Sequence, residues 1–324
     1  MVPTDDDAVA THVPVLAGRI VELLAPALAG PGSTYVDGTL GLGGHAGLVL
    51  DACPQARLVG IDRDPSALAV AGERLARFGD RVQLFRAVYH ELPDVLAEAG
   101  LSSVQAICLD LGLSSLQIDR RERGFAYATD APLDMRMDPD SELTAATIVN
   151  TWPAAELARI LRVHGEERFA DRIADRIVAA RAAEPFTNSA RLVSVIADAI
   201  PAAARHTGGH PAKRSFQALR IVVNAELESL AAVLPAALAA LAPGGRMAVL
   251  AYHSGEDRMV KRAFATATSD RVPAGVPDVP AGYRAQFSLL TRGAERPAPG
   301  EVQANPRAAS ARLRAVTRNQ EVPR

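Results

Sequence analysis

The chain is poor in cysteine and lysine, has no long apolar run, and does not begin with a basic, apolar leader. Its two cysteines, Cys53 and Cys108, lie far apart with no CxxC pair or Cys/His cluster near either. That leaves no structural zinc site to expect and no disulfide framework. Both sit in or beside apolar segments and read as small buried hydrophobes. Only Lys213 and Lys261 are lysines among 35 basic residues; beside so much alanine, this reads as compositional bias without functional weight. No apolar stretch reaches the ~18 residues of a membrane span. The start, MVPTDDDAVATH, is acidic and unlike a secretory signal, so the cytoplasm is the expected location, with no membrane partner.

What remains is the composition of a globular protein. The 324 residues are 48% hydrophobic and 22% charged, enough for two domains or one large domain with an insertion. The net charge of -2 hides an asymmetry. From Arg258 to Arg324 there are twelve Arg/Lys against five Asp/Glu, a surplus of seven, which leaves the rest of the chain at -9. A basic C-terminal portion on an acidic body suits a polyanion, or is simply a solvated tail.

The first 120 or so residues alternate strand-like and helix-like segments. Thr34–Asp37, Arg57–Asp62, Val82–Arg86 and Ala106–Asp110 are β-rich, and three of the four close on an acid. Between them lie helical stretches such as Pro65–Leu75, where Asp64 can cap and Pro65 suits the first turn. This spacing predicts a parallel sheet with helices on its faces. From about Gly124 to Val222 helical patterns dominate. Phe169, Ile173 and Ile177 recur beside a stripe of Arg168, Arg172 and Arg176, and Thr187-Asn-Ser189 offers a cap for the following helix. The α/β rhythm then resumes. A leucine stripe from Leu227 to Leu241 carries a kink at Pro235, Pro243-Gly-Gly245 makes a turn, and Arg246–Tyr252 is the next strand. Two late strands are expected at Tyr283–Leu290 and Ala311–Val316, with a loop around Pro297, Pro299 and Pro306. The expected organisation is one α/β domain (residues 1–123 and 223–324, the latter with the basic segment) interrupted by a helical insertion (residues 124–222).

The segment after the first strand, Asp37-Gly-Thr-Leu-Gly-Leu-Gly-Gly-His45, begins a run with five glycines in eleven residues (37–47). In a doubly wound sheet the ligand sits beyond the carboxyl ends of the strands, where bare backbone can approach it. Gly41-Leu-Gly43-Gly44-His45-Ala46 fits the dinucleotide fingerprint, with Asp62 about 20 residues on for a ribose. S-adenosylmethionine is the competing ligand: it is cationic and has no pyrophosphate. Asp37, Asp62 and Asp110 closing three strands favour the cation. Each acid could alternatively cap the helix that follows it.

Several blocks together resemble a known family. Asp37–His45, Gly60-Ile-Asp-Arg-Asp-Pro65, Leu109-Asp-Leu-Gly-Leu-Ser-Ser115, Leu133-Asp-Met-Arg-Met-Asp138, Val163-His-Gly-Glu-Glu-Arg-Phe169, Phe216-Gln-Ala-Leu-Arg-Ile-Val-Val-Asn224 and His253-Ser-Gly-Glu-Asp-Arg258 are similar, in order, to the ribosomal RNA small subunit methyltransferase H family, the MraW-like enzymes. The resemblance runs from about residue 12 to residue 318. It implies a class I (Rossmann-like) methyltransferase domain interrupted by an inserted helical domain for RNA recognition. The implied activity is S-adenosyl-L-methionine-dependent methylation of N4 of a cytidine in the decoding region of 16S rRNA, on the small ribosomal subunit. The family's cofactor contacts carry over onto Gly43, Gly44, His45, Asp62, Tyr89, Asp110 and Gln117, with Asp37 in the same pocket and no metal. Gly255, Leu116 and Tyr252 stand where the family usually has leucine, proline and phenylalanine. Homodimerisation is left open.

Methyl transfer to a cytosine amine calls for acceptors that bind its N–H groups. Asp110, the Leu111 and Gly112 carbonyls and Ser114 are candidates on one loop; His253 and Ser254 are candidates on another, with helix capping the alternative role for His253. Arg136, Lys213, Arg214 and Arg220 are candidate RNA contacts, each equally a surface charge or an internal ion pair. The rival functions are an NAD-dependent oxidoreductase using the same glycine turn, and a non-catalytic ribosome-assembly factor.

Overall fold

The computed structural model describes residues 13–204, 210–272 and 281–320; the acidic first ten residues lie outside these. Seven strands form among the described residues: β1 (Thr34–Asp37), β2 (Arg57–Asp62), β3 (Val82–Arg86), β4 (Val104–Asp110), β5 (Leu241–Ala251), β6 (Phe287–Leu289) and β7 (Arg312–Arg318). They make one sheet in the order β3-β2-β1-β4-β5-β7-β6. The first five in that order are parallel, and β7 runs antiparallel between β5 and β6. Strand order reverses between β1 and β4, which places the ligand crevice of an open α/β sheet there. The parallel part is what the strand spacing predicts, and the whole order is the class I arrangement that the resemblance implies.

The chain divides into two compact units, Met1–Gly112 with Glu228–Arg324, and Leu113–Leu227. The first begins with helices α1 (Ala17–Leu24), α2 (Gly44–Ala52), α3 (Pro65–Leu75) and α4 (Leu92–Glu98). The second unit is helical, with α5 (Ser115–Asp119), α6 (Ala145–Thr151), α7 (Ala154–Gly165), α8 (Ala170–Ala183), α9 (Ser189–Ala199) and α10 (Lys213–Val223). The chain returns through α11 (Glu226–Ala240), α12 (Ser254–Ala267) and α13 (Pro299–Ala304).

Alternation along the strands supplies the sheet with two apolar faces. Tyr35, Leu58, Ala106, Cys108, Ala248 and Leu250 pack with Ile20, Leu24, Val49 and Leu75 of α1–α3. Val36, Val59, Ile107, Leu109 and Val249 pack with Val95, Leu230, Val260 and Phe264 of α4, α11 and α12. Both cysteines are buried and free.

Some local expectations are corrected. Pro243–Gly245 does not precede the fifth strand but lies inside it: Val104 pairs with Leu241 and Ala106 with Arg246, so the triplet bulges out of register. Gly244, at φ 79°, takes the left-handed conformation that a side chain would resist. The strand expected from Tyr283 shrinks to Phe287–Leu289, with a helical turn at Ala281–Tyr283. As a short sheet edge it buries only Phe287. The proline-rich segment is not plain loop, since Pro299 and Pro306 each start a short helical turn where a missing N–H costs nothing. Pro235 stays inside α11, which continues through it to Ala240.

The second unit has its own core, including Leu133, Met135, Ile148, Leu161, Ile173, Ile177, Phe186 and Phe216. Ile173 and Ile177 face inward while Arg172 and Arg176 are exposed, and Asn188 caps α9 by accepting from Arg191 N–H at 3.2 Å. Two of the sequence blocks meet in this unit. Asn224, at the end of α10, donates to the Met135 and Arg220 carbonyls (2.8 and 2.9 Å) and accepts from Met137 N–H (2.7 Å). It clamps the Asp-Met-Arg-Met-Asp segment around Met135, which holds a positive φ of 62°. Asn224→Ala would leave the buried Met137 N–H without its acceptor. A loss of about 2–3 kcal/mol is expected in denaturant unfolding; a loss below about 0.5 kcal/mol would refute the clamp.

Candidate active site

The carboxyl ends of β2, β1 and β4 lie side by side, and each ends in aspartate. Asp37 is opposite Gly60 on one side and Cys108 on the other, so Asp62 and Asp110 end the flanking strands. The glycine turn is pinned over these ends. Gly38 N–H donates to the Cys108 carbonyl (3.0 Å), Leu40 N–H to the Ile61 carbonyl (2.9 Å), and Gly41 N–H to Asp62 Oδ2 (2.8 Å). Gly43, at φ 73°, turns the chain into α2. A Cβ on Gly44 would stand 2.6 Å from Pro14 Cγ. Bare backbone is therefore required here by conformation at one position and by packing at the next.

The three acids differ in setting. Asp37 is 2% exposed, and accepts from the Tyr35 hydroxyl (3.1 Å) and Thr39 N–H (3.3 Å). Burial pushes its carboxyl up to about 6, against the pull of His45, Tyr35 and Thr39. It lies beneath the turn. Asp62 accepts Gly41 N–H on one oxygen and Asp64 N–H on the other (2.9 Å). Each oxygen keeps a lone pair for a further donor, and burial raises this carboxyl too. Asp64 caps α3, accepting from Ser66 N–H at 3.0 Å, with Pro65 following.

Asp110 is held most closely. Its N–H donates to Thr39 Oγ1 (2.6 Å), and its Oδ1 accepts from the Tyr252 hydroxyl (2.8 Å). Burial and the facing carboxylate push the Tyr252 phenol far up, so it stays a donor. His45 is 6% exposed. Its Nε2 is 2.9 Å from the Val15 carbonyl, which can only accept, and its Nδ1 is 3.6 Å from Asp110 Oδ2. Tyr89 opens the turn after β3, its Cβ 3.6 Å from where a Cβ on Gly38 would stand.

His253 is the N-cap of α12. Its Nδ1 accepts from Gly255 N–H (3.2 Å) and Glu256 N–H (3.4 Å), while Glu256 Oε2 accepts from Tyr252 and His253 N–H (2.8 and 3.2 Å). The ring nitrogen that could take a proton is engaged by the helix terminus. Ser254 is the first residue of that helix.

Gln117 and Ser114 belong to the second unit, in a reciprocal cap of α5: Gln117 N–H donates to Ser114 Oγ (3.3 Å) and Ser114 N–H to Gln117 Oε1 (3.1 Å). Of the candidate RNA contacts there, Arg136 is bonded to Asp134 and to the Pro139 and Ser141 carbonyls, and Arg220 is paired with Glu226 at 2.8 Å. Both are internal ion pairs. Lys213 and Arg214 are exposed. The polar partners that residue-by-residue reading overlooked are Thr39 and the hydroxyls of Tyr35 and Tyr252. Tyr252 stands out in the sequence only by departing from the family's usual phenylalanine.

A sheet edge offering acceptors and bare backbone suits a ligand with hydroxyls and a positive charge. The MraW methylase family matches residues 9–319, and the chain belongs to it; it is a methyltransferase. The ribosomal RNA small subunit methyltransferase H of Mycolicibacterium smegmatis is 58% identical over 310 residues, covering 94% of this chain and 83% of that one. The protein of the same name from Nocardioides sp. is 60% identical over 308 residues, covering 95% and 97%. That from Streptomyces avermitilis is 56% identical over 310 residues, covering 96% and 98%.

The raised Asp37 carboxyl has a stability consequence. Between about pH 4 and 6 the folded chain keeps a proton that the unfolded chain has lost, so stability from this group is greatest at acid pH and declines as pH rises through that window, by on the order of 3 kcal/mol. Asp37→Asn cannot ionise. Its Tm relative to the parent should climb from pH 4 to pH 7, and a constant difference across parallel scans would refute the assignment.

Proposed function

We propose that the chain transfers the methyl group of S-adenosyl-L-methionine to the N4 amine of a cytidine in the decoding region of 16S ribosomal RNA, in the small ribosomal subunit. The observation that carries this reading is the row of three carboxylates beneath a glycine turn, in a chain belonging to a methylase family. The names of the relatives supply the RNA target. A dinucleotide would bring its anionic pyrophosphate to the N-terminus of α2, and here Asp37 and Asp110 close the strands at the same edge.

S-adenosylmethionine supplies an electrophilic methyl group on a positively charged sulfur. In this reading Asp62 accepts the ribose hydroxyls with its two remaining lone pairs. Tyr89 lays its ring beside the adenine. Gly43, Gly44 and His45 bring backbone close to the ligand. Asp110 faces the reacting groups, its carboxylate held in place by Tyr252.

The chain's contribution to the chemistry is alignment, which supplies ~7–11 kcal/mol of barrier lowering. The cytosine amine is a poor nucleophile because its lone pair is delocalised into the ring. Asp110, with the Leu111 and Gly112 carbonyls beside it, accepts the amine's N–H groups, localises that lone pair and takes up the proton. We assign no base role to His253, whose Nδ1 is engaged in the α12 cap. The helical unit, with Lys213 and Arg214 exposed at α10, is assigned to substrate recognition.

The test is incubation with small ribosomal subunits and labelled S-adenosylmethionine, with NAD in a parallel arm, followed by nucleoside mass spectrometry. N4-methylcytidine in the RNA is expected. Binding of NAD alone would restore the oxidoreductase reading, and RNA binding without methylcytidine would favour an assembly factor. Asp62→Ala should weaken donor affinity by about 100-fold, the scale of two lost charge-assisted hydrogen bonds. Asp110→Asn should lower kcat by about 100-fold or more. Donor affinity untouched in Asp62→Ala would overturn the site.

A further inference from the structure

We infer that the outer face of α12, with the β7 arginines beside it, is a phosphate-binding surface for the substrate RNA. This rests on the RNA reading above and adds to it a place that neither the family nor the relatives' names assign.

The basic surplus after Arg258 has a definite location in the fold. Arg258, Lys261 and Arg262 are all exposed on α12, at the i, i+3, i+4 spacing that puts side chains on one helix face. No acidic residue follows them before Asp270. The two acids that precede them are withdrawn from that face. Glu256 is 2% exposed and engaged in the helix cap, and Asp257 is 9% exposed. Asp257 lies 2.7 Å from Arg314 Nε and 3.2 Å from Arg312 Nη1, and the two guanidiniums hold its carboxyl below the usual carboxylate range. One aspartate thus orders two arginines and neutralises only one charge. Arg312, one-third exposed at its side chain, pairs with Ala251 at the carboxyl end of β5, beside the strand that ends at Asp110. The cations therefore begin at the edge that carries the donor site and continue along α12 away from it.

A cytidine taken out of its stack needs its flanking backbone held. Exposed lysine and arginine neutralise phosphates without reading sequence, and each contact appears in the salt dependence of binding.

The test compares two doubly substituted full-length proteins for binding to a 16S decoding-region RNA fragment across a salt series. One is Lys261→Ala/Arg262→Ala. The other is Arg57→Ala/Arg74→Ala, an equal charge change at two exposed positions on β2 and α3. The α12 variant should bind the RNA about tenfold more weakly near physiological salt, and its slope of log K against log salt should flatten by about 1.4, with S-adenosylmethionine Kd unchanged. The control should bind as the parent does. Equal losses in both variants would mean bulk electrostatics and overturn the surface. So would unaltered RNA affinity combined with poor methylation of intact subunits, which would place a ribosomal protein on this face. A parent protein that binds no RNA at all would defeat the RNA reading itself, and the surface with it.

Discussion

The hydrogen bond from Gly41 N–H to Asp62 is the contact on which the site is organised. It joins the turn after β1 to the end of β2 and leaves both carboxylate oxygens with a lone pair to spare. Gly38 and Leu40 fasten the same turn to β4 and β2. The bare backbone is thereby held at a fixed height over three strand ends. A side chain at Gly44 would push Pro14 away, and one at Gly43 would oppose the turn into α2. Preorganisation of this kind is what a reaction governed by alignment needs.

Placing three carboxylates along one sheet edge carries a cost in like-charge repulsion and desolvation. The protein meets it differently at each. Asp37, fully buried under the turn, is pushed toward the protonated form and bonded to Tyr35. Asp62 takes two backbone donors. Asp110 takes the Tyr252 hydroxyl and has His45 Nδ1 at 3.6 Å. Burial raises both Asp37 and Asp62, Asp37 to about 6, and the backbone donors on Asp62 work against that rise. A bound cation would relieve the remaining repulsion, which gives the donor's positive sulfur an electrostatic reason to prefer this edge.

Much of this was legible because period and punctuation agree. Strands closing on Asp37, Asp62 and Asp110, each followed by a helix, define both a parallel sheet and the side on which its ligand lies. Asp64 and Pro65 mark a helix start that the structure reproduces. The bulge at Pro243–Gly245 was not legible, because a turn between elements and a bulge within a strand use the same residues; only pairing with β4 separates them. The Tyr252–Asp110 bond was hidden for a similar reason, since 142 positions in sequence separate its ends. His253 was ambiguous in sequence because a histidine before a Ser-Gly-Glu run suits both a base and a cap. The reciprocal bonds with Glu256 account for its Nδ1 as a cap.

The two halves of the charge asymmetry then become one arrangement. In the proposed reading three carboxylates of the acidic body stand where the cationic donor would be held, and basic residues of the C-terminal portion stand on α12 and β7. Donor and acceptor carry opposite charge, so a single patch of either sign would attract one and repel the other. Setting the two signs on different elements lets each partner meet a complementary field. Asp257 sits at the seam: an acid on the basic side, it aligns Arg312 and Arg314 while leaving that side net positive.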